Sequence, residues 1–280
     1  MSWRPSRGEV IGNLRLAQDI YRLRLWVPDI APVARPGQFF MVRLPGLSDP
    51  LLPRALALYD LASYRQPDDC LDLVYRVVGK MTRLLAQIGV GHKLDITGPL
   101  GRPFPPLAGH KQLILIAGGI GHTPFLSWAR QVRGLRGYGQ APPAEEVTDV
   151  TLYYGVRSAA YLSCVEDFEA AGVRVHLASE DGSVGFRGTV MDLVEQRLPA
   201  EEGQVWAACG PEGLLRAAHE AALRRGVTCW VSLETPMACG IGLCFGCVAR
   251  WHDPASPLGW DYRRVCLEGP VVDSRQLVWL

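Results

Sequence analysis

The chain has 280 residues, which at ~150 residues per domain suggests about two domains and leaves room for three small ones. Apolar residues make up 48% and charged residues 20%, as in an ordinary soluble globular protein. Because 29 Lys and Arg stand against 28 Asp and Glu, the net charge is +1, and the composition gives no reason to expect a nucleic acid partner.

Two features predict a cytoplasmic location. The longest uninterrupted aliphatic stretch, Leu113 to Ala117, is far shorter than the ~20 residues that span a bilayer, so no membrane partner is expected. The opening residues, MSWRPSRGEV, lack the apolar core of a signal peptide. Since disulfides are rare in the reducing cytoplasm, the eight cysteines suggest metal ligation first and redox chemistry second.

Residues 8 to about 100 have the pattern of short β-strands. Ile20–Val27 and Leu71–Val78 alternate roughly with the period of two that half-buried strands show. Gln38–Leu44 and Lys93–Thr97 are further strand candidates, separated by Pro, Gly and Asp turns. Strands at this spacing predict a small antiparallel barrel or sandwich.

From Lys111 onwards, strands and helices alternate. Gln112–Ala117 is a continuous apolar run, typical of a strand buried on both faces, and a helical stretch follows it. The alternation predicts βαβ units on a parallel sheet. Gly134–Glu146, rich in Gly and Pro, is predicted to be a loop. The later elements are strands at Val150–Gly155, Val173–Ser179 and Gln204–Gly210, and helices at Ala159–Ala171, Thr189–Arg197 and Pro211–Arg225.

The C-terminal segment differs again, because from residue 229 it holds half of the tryptophans and five of the eight cysteines. The predicted architecture is therefore multidomain, α/β plus β. It consists of an antiparallel β-barrel over residues 1–103, a parallel α/β domain over 104–228 and a small cysteine-rich module over 229–280.

Four cysteines form the most specific motif. Their spacing, Cys239-x4-Cys244-x2-Cys247-x18-Cys266, matches the plant-type [2Fe–2S] pattern of C-x4-C-x2-C with a distant fourth cysteine. Glycines within the loop permit a tight path and let N–H groups approach the sulfurs, which helps to set the reduction potential. These glycines are Gly240, Gly242 and Gly246.

Two other interpretations of the four cysteines stay open. Structural zinc usually uses two CxxC pairs or adds histidines, whereas here there is one CxxC and the nearest histidine, His252, lies outside the motif. The four could also be unligated core cysteines. Cys70, Cys164 and Cys229 stand in apolar or irregular contexts and are expected to be packing residues.

A glycine-rich turn follows the first predicted parallel strand. Gly118, Gly119 and Gly121 precede a helix, whose free N–H groups attract phosphate. This is not the GxGxxG fingerprint, and an ordinary strand-to-helix turn is the plainer interpretation. A second such turn begins at Cys209. Because ligands of open α/β sheets bind beyond the carboxyl ends of the strands, the two turns together predict a nucleotide site.

The order of these parts resembles the ferredoxin–NADP reductase superfamily. Within it, SLETPMACGIGLCFGCV and RRVCLEGPVVDSRQLVW are most similar to the electron transfer subunits of two-subunit, NAD-dependent dihydroorotate dehydrogenases, and the resemblance runs from about Glu9 to the C-terminus. It implies that the barrel binds FAD, the α/β domain binds NAD, and the cluster relays electrons to a catalytic partner that carries FMN. The resemblance also implies an assembly of two subunits of each kind and a role in pyrimidine (UMP) biosynthesis. In the α/β domain it implies these NAD-binding residues: Gly118, Gly119, Gly121, Thr123, Pro124, Cys209, Gly210 and Pro211.

The resemblance further implies three FAD segments in the barrel. The first, R-P-x-S/T in the family, is Arg54-Ala55-Leu56-Ala57 here, so the cation is kept while the proline and the hydroxyl are lost. The second is Val74-Tyr75-Arg76. The third, G-x-G-T in the family, is Gly79-Lys80-Met81-Thr82, with Met81 in place of a glycine. Gly98–Phe104 corresponds to the junction between the nucleotide domains, and Glu180–Gly188 to a loop that faces the NAD site.

These parts suit one another chemically. NAD transfers two electrons as a hydride and a [2Fe–2S] cluster carries one, so a flavin between them can convert one into the other. The sequence has no obvious Ser/His/Asp set and no recognisable site for an organic acid, so we expect dihydroorotate to be oxidised on the partner and assign no catalytic residue here. Two other functions stay open: a reductase subunit of a hydrogenase, sulfite reductase or bifurcating transhydrogenase, and a binding module that has lost redox activity.

Overall fold

The computed structural model describes residues 3–143, 145–199 and 202–279. Its N-terminal part contains seven strands: β1 (Arg4–Ala17), β2 (Ile20–Trp26), β3 (Phe39–Arg43), β4 (Arg54–Ala57), β5 (Asp60–Ala62), β6 (Cys70–Arg76) and β7 (Lys93–Leu100). They form one sheet in the order β4-β3-β7-β1-β2-β6-β5, with every neighbouring pair antiparallel. Residues of β4 and β6 also come within 8 Å of each other, so the sheet curls towards a barrel.

The two strands predicted from alternation are confirmed as β2 and β6, and the two further strand candidates as β3 and β7. Inward side chains of these strands, Leu23, Phe40 and Leu73 among them, form a fully buried core. A short helix, α1 (Lys80–Leu85), joins β6 to β7 and lies beside the opening of the barrel. The barrel therefore presents α1 and the ends of β4 and β6 on one side.

The second part alternates strands and helices, as predicted. The strands are β8 (Gln112–Gly118), β9 (Asp149–Val156), β10 (Arg174–Ser179), β11 (Phe186–Arg187), β12 (Gln204–Cys209) and β13 (Thr228–Ser232). The helices are α2 (Phe125–Val132), α3 (Val165–Ala170), α4 (Val190–Arg197) and α5 (Glu212–Arg225). Leu113 and Ile114, on opposite faces of β8, are both fully buried, which is why the sequence of this strand is apolar without interruption.

The predicted bounds of one helix in this part are wrong. Ala159–Ala171 is not continuous, because a 3-10 turn over Ala159–Tyr161 is separated from α3 by residues 162–164. Cys164 has a φ of 64°, which ends helical geometry on that side. The loop predicted over Gly134–Glu146 has no helix or strand among its described residues, and Ala144 lies outside them.

The C-terminal segment adds two strands, one helix and a returning strand. These are β14 (Val248–His252), β15 (Trp260–Arg264), α6 (Val265–Glu268) and β16 (Val271–Asp273). β16 pairs antiparallel with β13, giving the second sheet the order β11-β10-β9-β8-β12-β13-β16, while β14 and β15 form a separate pair. The predicted boundary after residue 228 thus falls inside β13, a strand of the large sheet, and β16 also joins that sheet.

The barrel, the α/β sheet and the C-terminal segment contact one another directly. The ring of Phe104 stacks on that of Trp128 in α2, with centroids 4.0 Å apart. The backbone N–H of Arg102 donates to the carbonyl oxygen of Gly269 at 2.6 Å. The predicted junction, Gly98–Phe104, therefore touches both other parts. Among the helices described, none combines the length and the apolar character needed to cross a membrane.

Candidate functional site

A cavity of about 1050 Å³ lies between the barrel and the parallel sheet. It opens at the carboxyl ends of the parallel strands, where the strand order reverses: β9 and β10 lie on one side of β8, and β12 and β13 on the other. Ligands of open α/β sheets bind at such a reversal. Of the predicted cofactor residues, these line the cavity: Arg54, Ala55, Leu56, Ala57, Val74, Tyr75, Arg76, Thr82, Gly118, Gly119, Gly121, Thr123, Pro124, Cys209, Gly210 and Pro211.

Met81 is the exception among the predicted residues. Its side chain is fully buried and does not line the cavity, whereas Thr82 beside it does. Consecutive residues of a helix point in different directions, so only one of the two can face the opening. The Thr82 hydroxyl accepts hydrogen bonds from the N–H groups of Val78 and Gly79, at 3.0 and 3.1 Å, and so fixes the start of α1.

The two glycine turns at the ends of β8 and β12 pack against each other. A Cβ atom on Gly121 would lie 2.1 Å from the carbonyl oxygen of Cys209, so a larger residue would push the turns apart. The turns precede α2 and α5, whose first N–H groups have no partner within their own helix. The backbone of the two turns, together with the N-termini of α2 and α5, fits the pyrophosphate of a dinucleotide.

The barrel side of the cavity carries two arginines. The guanidinium of Arg54 donates to the carbonyl oxygens of Leu52 and Pro53, at 3.0 and 3.1 Å, which holds it at the cavity wall. Arg76 lies over the ring of Tyr161, 4.9 Å from the centroid, and its Nε is buried without a hydrogen-bond partner among the described residues. Buried hydrogen-bond donors normally have an acceptor, so the free Nε–H of this cation fits an acceptor on a flavin nucleotide bound in the cavity.

No site role was predicted for the end of β13 or for the segment that follows it. Ser232, Glu234, Thr235 and Met237 all line the cavity, and Thr235 Oγ1 is buried without a partner in the described part of the chain. Their place depends on the pairing of β13 with β12, a contact between distant segments that no local pattern indicates. Burial, reinforced by the nearby Glu234 carboxylate, raises the pKa of the Cys209 thiol to about 12.

The same segment leads directly into the cysteine loop. The backbone N–H of Cys244 donates to Cys239 Sγ, and that of Gly246 to Cys244 Sγ, both at 3.5 Å. Gly240 has a φ of 71°, and a Cβ there would lie 2.5 Å from Met41 Cγ, so glycine lets this loop pack on the barrel. The guanidinium of Arg264 donates to the Gly242 carbonyl oxygen at 2.8 Å and ties the loop to β15.

The structure brings the four cysteines of the motif together in two pairs. Cys239 lies beside Cys244, whose N–H donates to its Sγ, and Cys247 lies beside the start of α6, which carries Cys266, because its carbonyl oxygen accepts from the N–H of Val265 at 2.7 Å. Two irons with two thiolates each require such pairs, so the donor set fits a [2Fe–2S] cluster. Burial disfavours the Cys239 thiolate, but N–H donors of Cys244 and its neighbours outweigh it and lower the Cys239 pKa to about 7. Among the described residues, no three His, Cys, Asp or Glu side chains are arranged around one metal ion.

Three other cysteines are buried: Cys70, Cys164 and Cys229. Burial raises the pKa of the Cys70 and Cys229 thiols to about 12 and also raises that of Cys164. A buried, protonated thiol behaves as a small apolar side chain, which is consistent with the packing role predicted for them.

Family models match three consecutive parts of the chain. An oxidoreductase FAD-binding domain matches residues 8–104, an oxidoreductase NAD-binding domain residues 115–220, and the iron–sulfur cluster binding domain of dihydroorotate dehydrogenase B residues 234–278. The chain thus has an FAD-binding, an NAD-binding and an iron–sulfur binding domain, in the predicted order.

Two relatives that match over nearly their full length carry the same name. Dihydroorotate dehydrogenase B (NAD(+)), electron transfer subunit, of Desulforamulus reducens is 33% identical over 274 residues, covering 97% of each chain. The protein of the same name from Geobacillus kaustophilus is 36% identical, covering 97% of this chain and 98% of the relative.

A solved structure shares the whole fold. The structure of an NADH-dependent reduced ferredoxin-NADP oxidoreductase, described for flavin-based electron bifurcation, superposes with a TM-score of 0.81 and covers 97% of this chain and 90% of its own. At 24% identity, this likeness concerns the fold alone.

Proposed function

Because this chain belongs to the family of dihydroorotate dehydrogenase B electron transfer subunits, we propose that it passes electrons between NAD and a catalytic partner subunit, on which dihydroorotate is oxidised during pyrimidine biosynthesis. One observation carries the proposal. The cavity that joins the two nucleotide turns to the barrel wall is also lined by Thr235–Met237, two residues before Cys239. Dinucleotide site, flavin site and cysteine loop are therefore consecutive in space.

Different residues around the cavity bind FAD and NAD in this proposal. We assign the FAD pyrophosphate to Arg54, with Arg76 and Thr235 as further polar contacts of the flavin nucleotide. The turns at Gly121 and Gly210 hold the NAD pyrophosphate. Bound FAD would accept a hydride as two electrons and release them singly, and a [2Fe–2S] cluster would carry them one at a time. The proposed division is residues 1–103 for FAD, 104–228 for NAD and 229–280 for the cluster.

The partner should dock on the outer face of the cysteine loop. Cys244 is exposed, and the side chains on either side of it, Leu243 and Phe245, are 77% and 61% exposed. Large apolar side chains beside a proposed electron carrier favour a protein partner over free solvent. We propose that this partner carries FMN and assembles with the chain as two subunits of each kind. A cytoplasmic location stays a prediction.

Anaerobic purification followed by FAD, iron and sulfide analysis tests the proposal. We expect one FAD and two irons per chain. We also expect Cys244→Ser to lose most of the electron paramagnetic resonance signal of the reduced cluster, while Cys229→Ser, a buried cysteine outside the motif, keeps it. Stoichiometric zinc in place of iron would contradict the cluster assignment.

A further inference from the structure

The hairpin of β14 and β15, which follows the cysteine loop, turns one side outwards. Neighbouring residues of a strand point to opposite sides, and on the inner side Trp251 is 2% exposed and packs in the core. The outer side carries arginine and aromatic side chains that begin in the cysteine loop and continue along both strands. This set, the arginine–aromatic face, consists of Phe245, Arg250, Trp260, Tyr262 and Arg264.

Both arginines of this face lie over aromatic rings. The guanidinium carbon of Arg250 is 4.6 Å from the ring centroid of Trp260 and 5.8 Å from that of Tyr262. The guanidinium carbon of Arg264 is 4.5 Å from the ring centroid of Phe245. Because a guanidinium over a ring is already oriented while the N–H groups at its edge stay available, it loses little freedom when it binds a planar acceptor.

The two guanidiniums have no carboxylate partner. Over residues 3–143, 145–199 and 202–279, that of Arg250 makes no hydrogen bond or ion pair, and that of Arg264 donates only to the Gly242 carbonyl oxygen. Both are therefore able to donate further hydrogen bonds from a face that is open to solvent, where Tyr262 is 49% exposed.

The acidic residues of the hairpin do not lie on this face. Asp261 pairs in register with Trp251, on the inner side, and Asp253 forms an ion pair with Arg263 at 3.7 Å. Residues 242–264 contain no other Asp or Glu. The outer side of the hairpin thus carries positive charge that its own segment does not neutralise.

We propose that the arginine–aromatic face is the surface that recognises the catalytic partner subunit, and that the partner presents Asp or Glu carboxylates to Arg250 and Arg264. The inference rests on the proposed function, which supplies the partner and places its contact beside Cys244. Arg264 connects the two surfaces, because it lies over Phe245 of the cysteine loop. Trp, Tyr and Arg contribute most to protein–protein binding, and a guanidinium binds a carboxylate through two parallel hydrogen bonds.

The charge of this face should control how fast the partner binds. The whole chain has a net charge of only +1, so its overall charge does not attract an acidic partner. Local attraction by the two guanidiniums would orient the partner, while the exposed apolar side chains of Leu243 and Phe245 hold it once it has docked. Since salt screens exposed charges, we expect association to slow as the salt concentration rises.

Association kinetics with the catalytic subunit from the same organism test the proposal on the full-length, cofactor-loaded chain. Arg250→Gln should weaken binding at low salt about tenfold or more, mainly through slower association, and should reduce the salt dependence. Arg263→Gln, which removes the same charge from the inner side of the same hairpin, is the matched control and should change the affinity less than about twofold. An unchanged electron paramagnetic resonance signal of the reduced cluster in both variants verifies that the module is intact.

Cross-linking tests the chemistry of the partner surface. A carbodiimide activates a carboxyl group, and a lysine amine within reach then forms an amide with it while the carbodiimide leaves as a urea. Arginine does not react in this way, and the three lysines of the chain all precede residue 112, so Arg250→Lys introduces one reactive amine at the face. We expect mass spectrometry to find an amide between position 250 and an Asp or Glu of the partner, and none at position 263 in Arg263→Lys.

The outcomes separate this proposal from the one on which it rests. If the wild type binds the catalytic subunit but Arg250→Gln binds it equally well, or if salt has no effect, the recognition face is overturned while the proposed function stands. Equal losses in Arg250→Gln and Arg263→Gln would mean a general effect of charge and would also overturn it. A complex of Arg250→Lys that forms without an amide at position 250 would overturn the carboxylate contact. No binding by the wild type would overturn the proposed function itself.

Discussion

Arg54 is the barrel residue whose charge should matter most to FAD. Its guanidinium is held at the cavity wall by two backbone carbonyls. Hydrogen bonds to charged groups contribute about 1.5–3 kcal/mol, so Arg54→Ala should weaken FAD binding roughly ten- to hundredfold. Flavin fluorescence during dialysis measures the retention. Arg83→Ala, an exposed arginine on α1 away from the cavity, is the control, and equal retention by both variants would contradict the role of Arg54.

His122 should make the stability of the protein depend on pH. The ring is fully buried, and burial lowers its pKa to about 4. The unfolded chain therefore takes up a proton near pH 6.5 that the folded chain resists, and stability is lost as the pH falls from about 6.5 to 4, by about 3 kcal/mol in total. We expect the denaturation midpoint of His122→Gln to change less over this range than that of the wild type.

His92 provides the control for this pH dependence. In both residues the ring Nδ1 lies near the carbonyl oxygen three residues earlier, 3.1 Å from that of Gly119 in His122 and 3.0 Å from that of Gly89 in His92. The ring of His92, however, is exposed. His92→Gln should follow the wild-type pH profile. A His122→Gln profile that also matches the wild type would show that the buried ring is not the titrating group.

Site residues that lie close together in the chain could be predicted from the sequence. Site residues that are brought to the cavity by pairing between separate strands could not. Cys239, Cys244 and Cys247 are close in the chain, as are the glycines of the first turn, so their spacing already indicates that they converge. Thr235 faces the cavity only because β13 pairs with β12, and Met81 turns away from it because α1 begins at Lys80. Neither fact is visible in the residues themselves.

At the scale of elements, a buried carboxylate joins the barrel to the α/β domain. Asp60 on β5 is 5% exposed, pairs with Arg130 of α2 and accepts a hydrogen bond from the Tyr138 hydroxyl at 2.5 Å. Breaking a buried ion pair costs about 3 kcal/mol, so Asp60→Asn should loosen this contact. Hydrogen exchange should then be faster in β5 and α2, and NADH oxidation slower, because the flavin and dinucleotide sites belong to different parts.

A nearby ion pair supplies the control for Asp60. Asp68 also pairs across the same contact, with Arg136, but its side chain is 39% exposed. Exposed ion pairs contribute only about 0–1 kcal/mol, so Asp68→Asn should change exchange and activity little. Equal effects of the two variants would show that burial of Asp60 does not decide the stability of the contact.

Strands and helices whose side chains all lie in the same environment were predicted well. β8 is buried on both faces, so its sequence is continuously apolar and its position is clear. β1 was not predicted. Only Gly8 and Val10 of its 14 residues are buried, and its register with β2 shifts twice, so its sequence has no regular alternation. β16 has three residues and joins the sheet through β13, about 40 residues earlier in the chain, so no local period could indicate it.

For the whole molecule, the order of sites along the cavity predicts which activities can be separated. The nucleotide turns and the barrel wall both line the cavity of this chain, whereas the oxidation of dihydroorotate is assigned to the proposed partner. We expect the isolated subunit to oxidise NADH with artificial acceptors and not to oxidise dihydroorotate. Adding the FMN-bearing partner should create NAD-linked dihydroorotate oxidation.

Cys244→Ser tests the order of that relay. The variant keeps every residue assigned to FAD and NAD, so NADH oxidation with artificial acceptors should remain near the wild-type rate while the reaction coupled to the partner is lost. Leu243→Ser, which removes an exposed apolar side chain beside Cys244, should keep the cluster signal and weaken partner binding. Coupling at the normal rate without the cluster would mean that electrons reach the partner by another route. Dihydroorotate oxidation by the isolated chain would mean that it is not an electron transfer subunit.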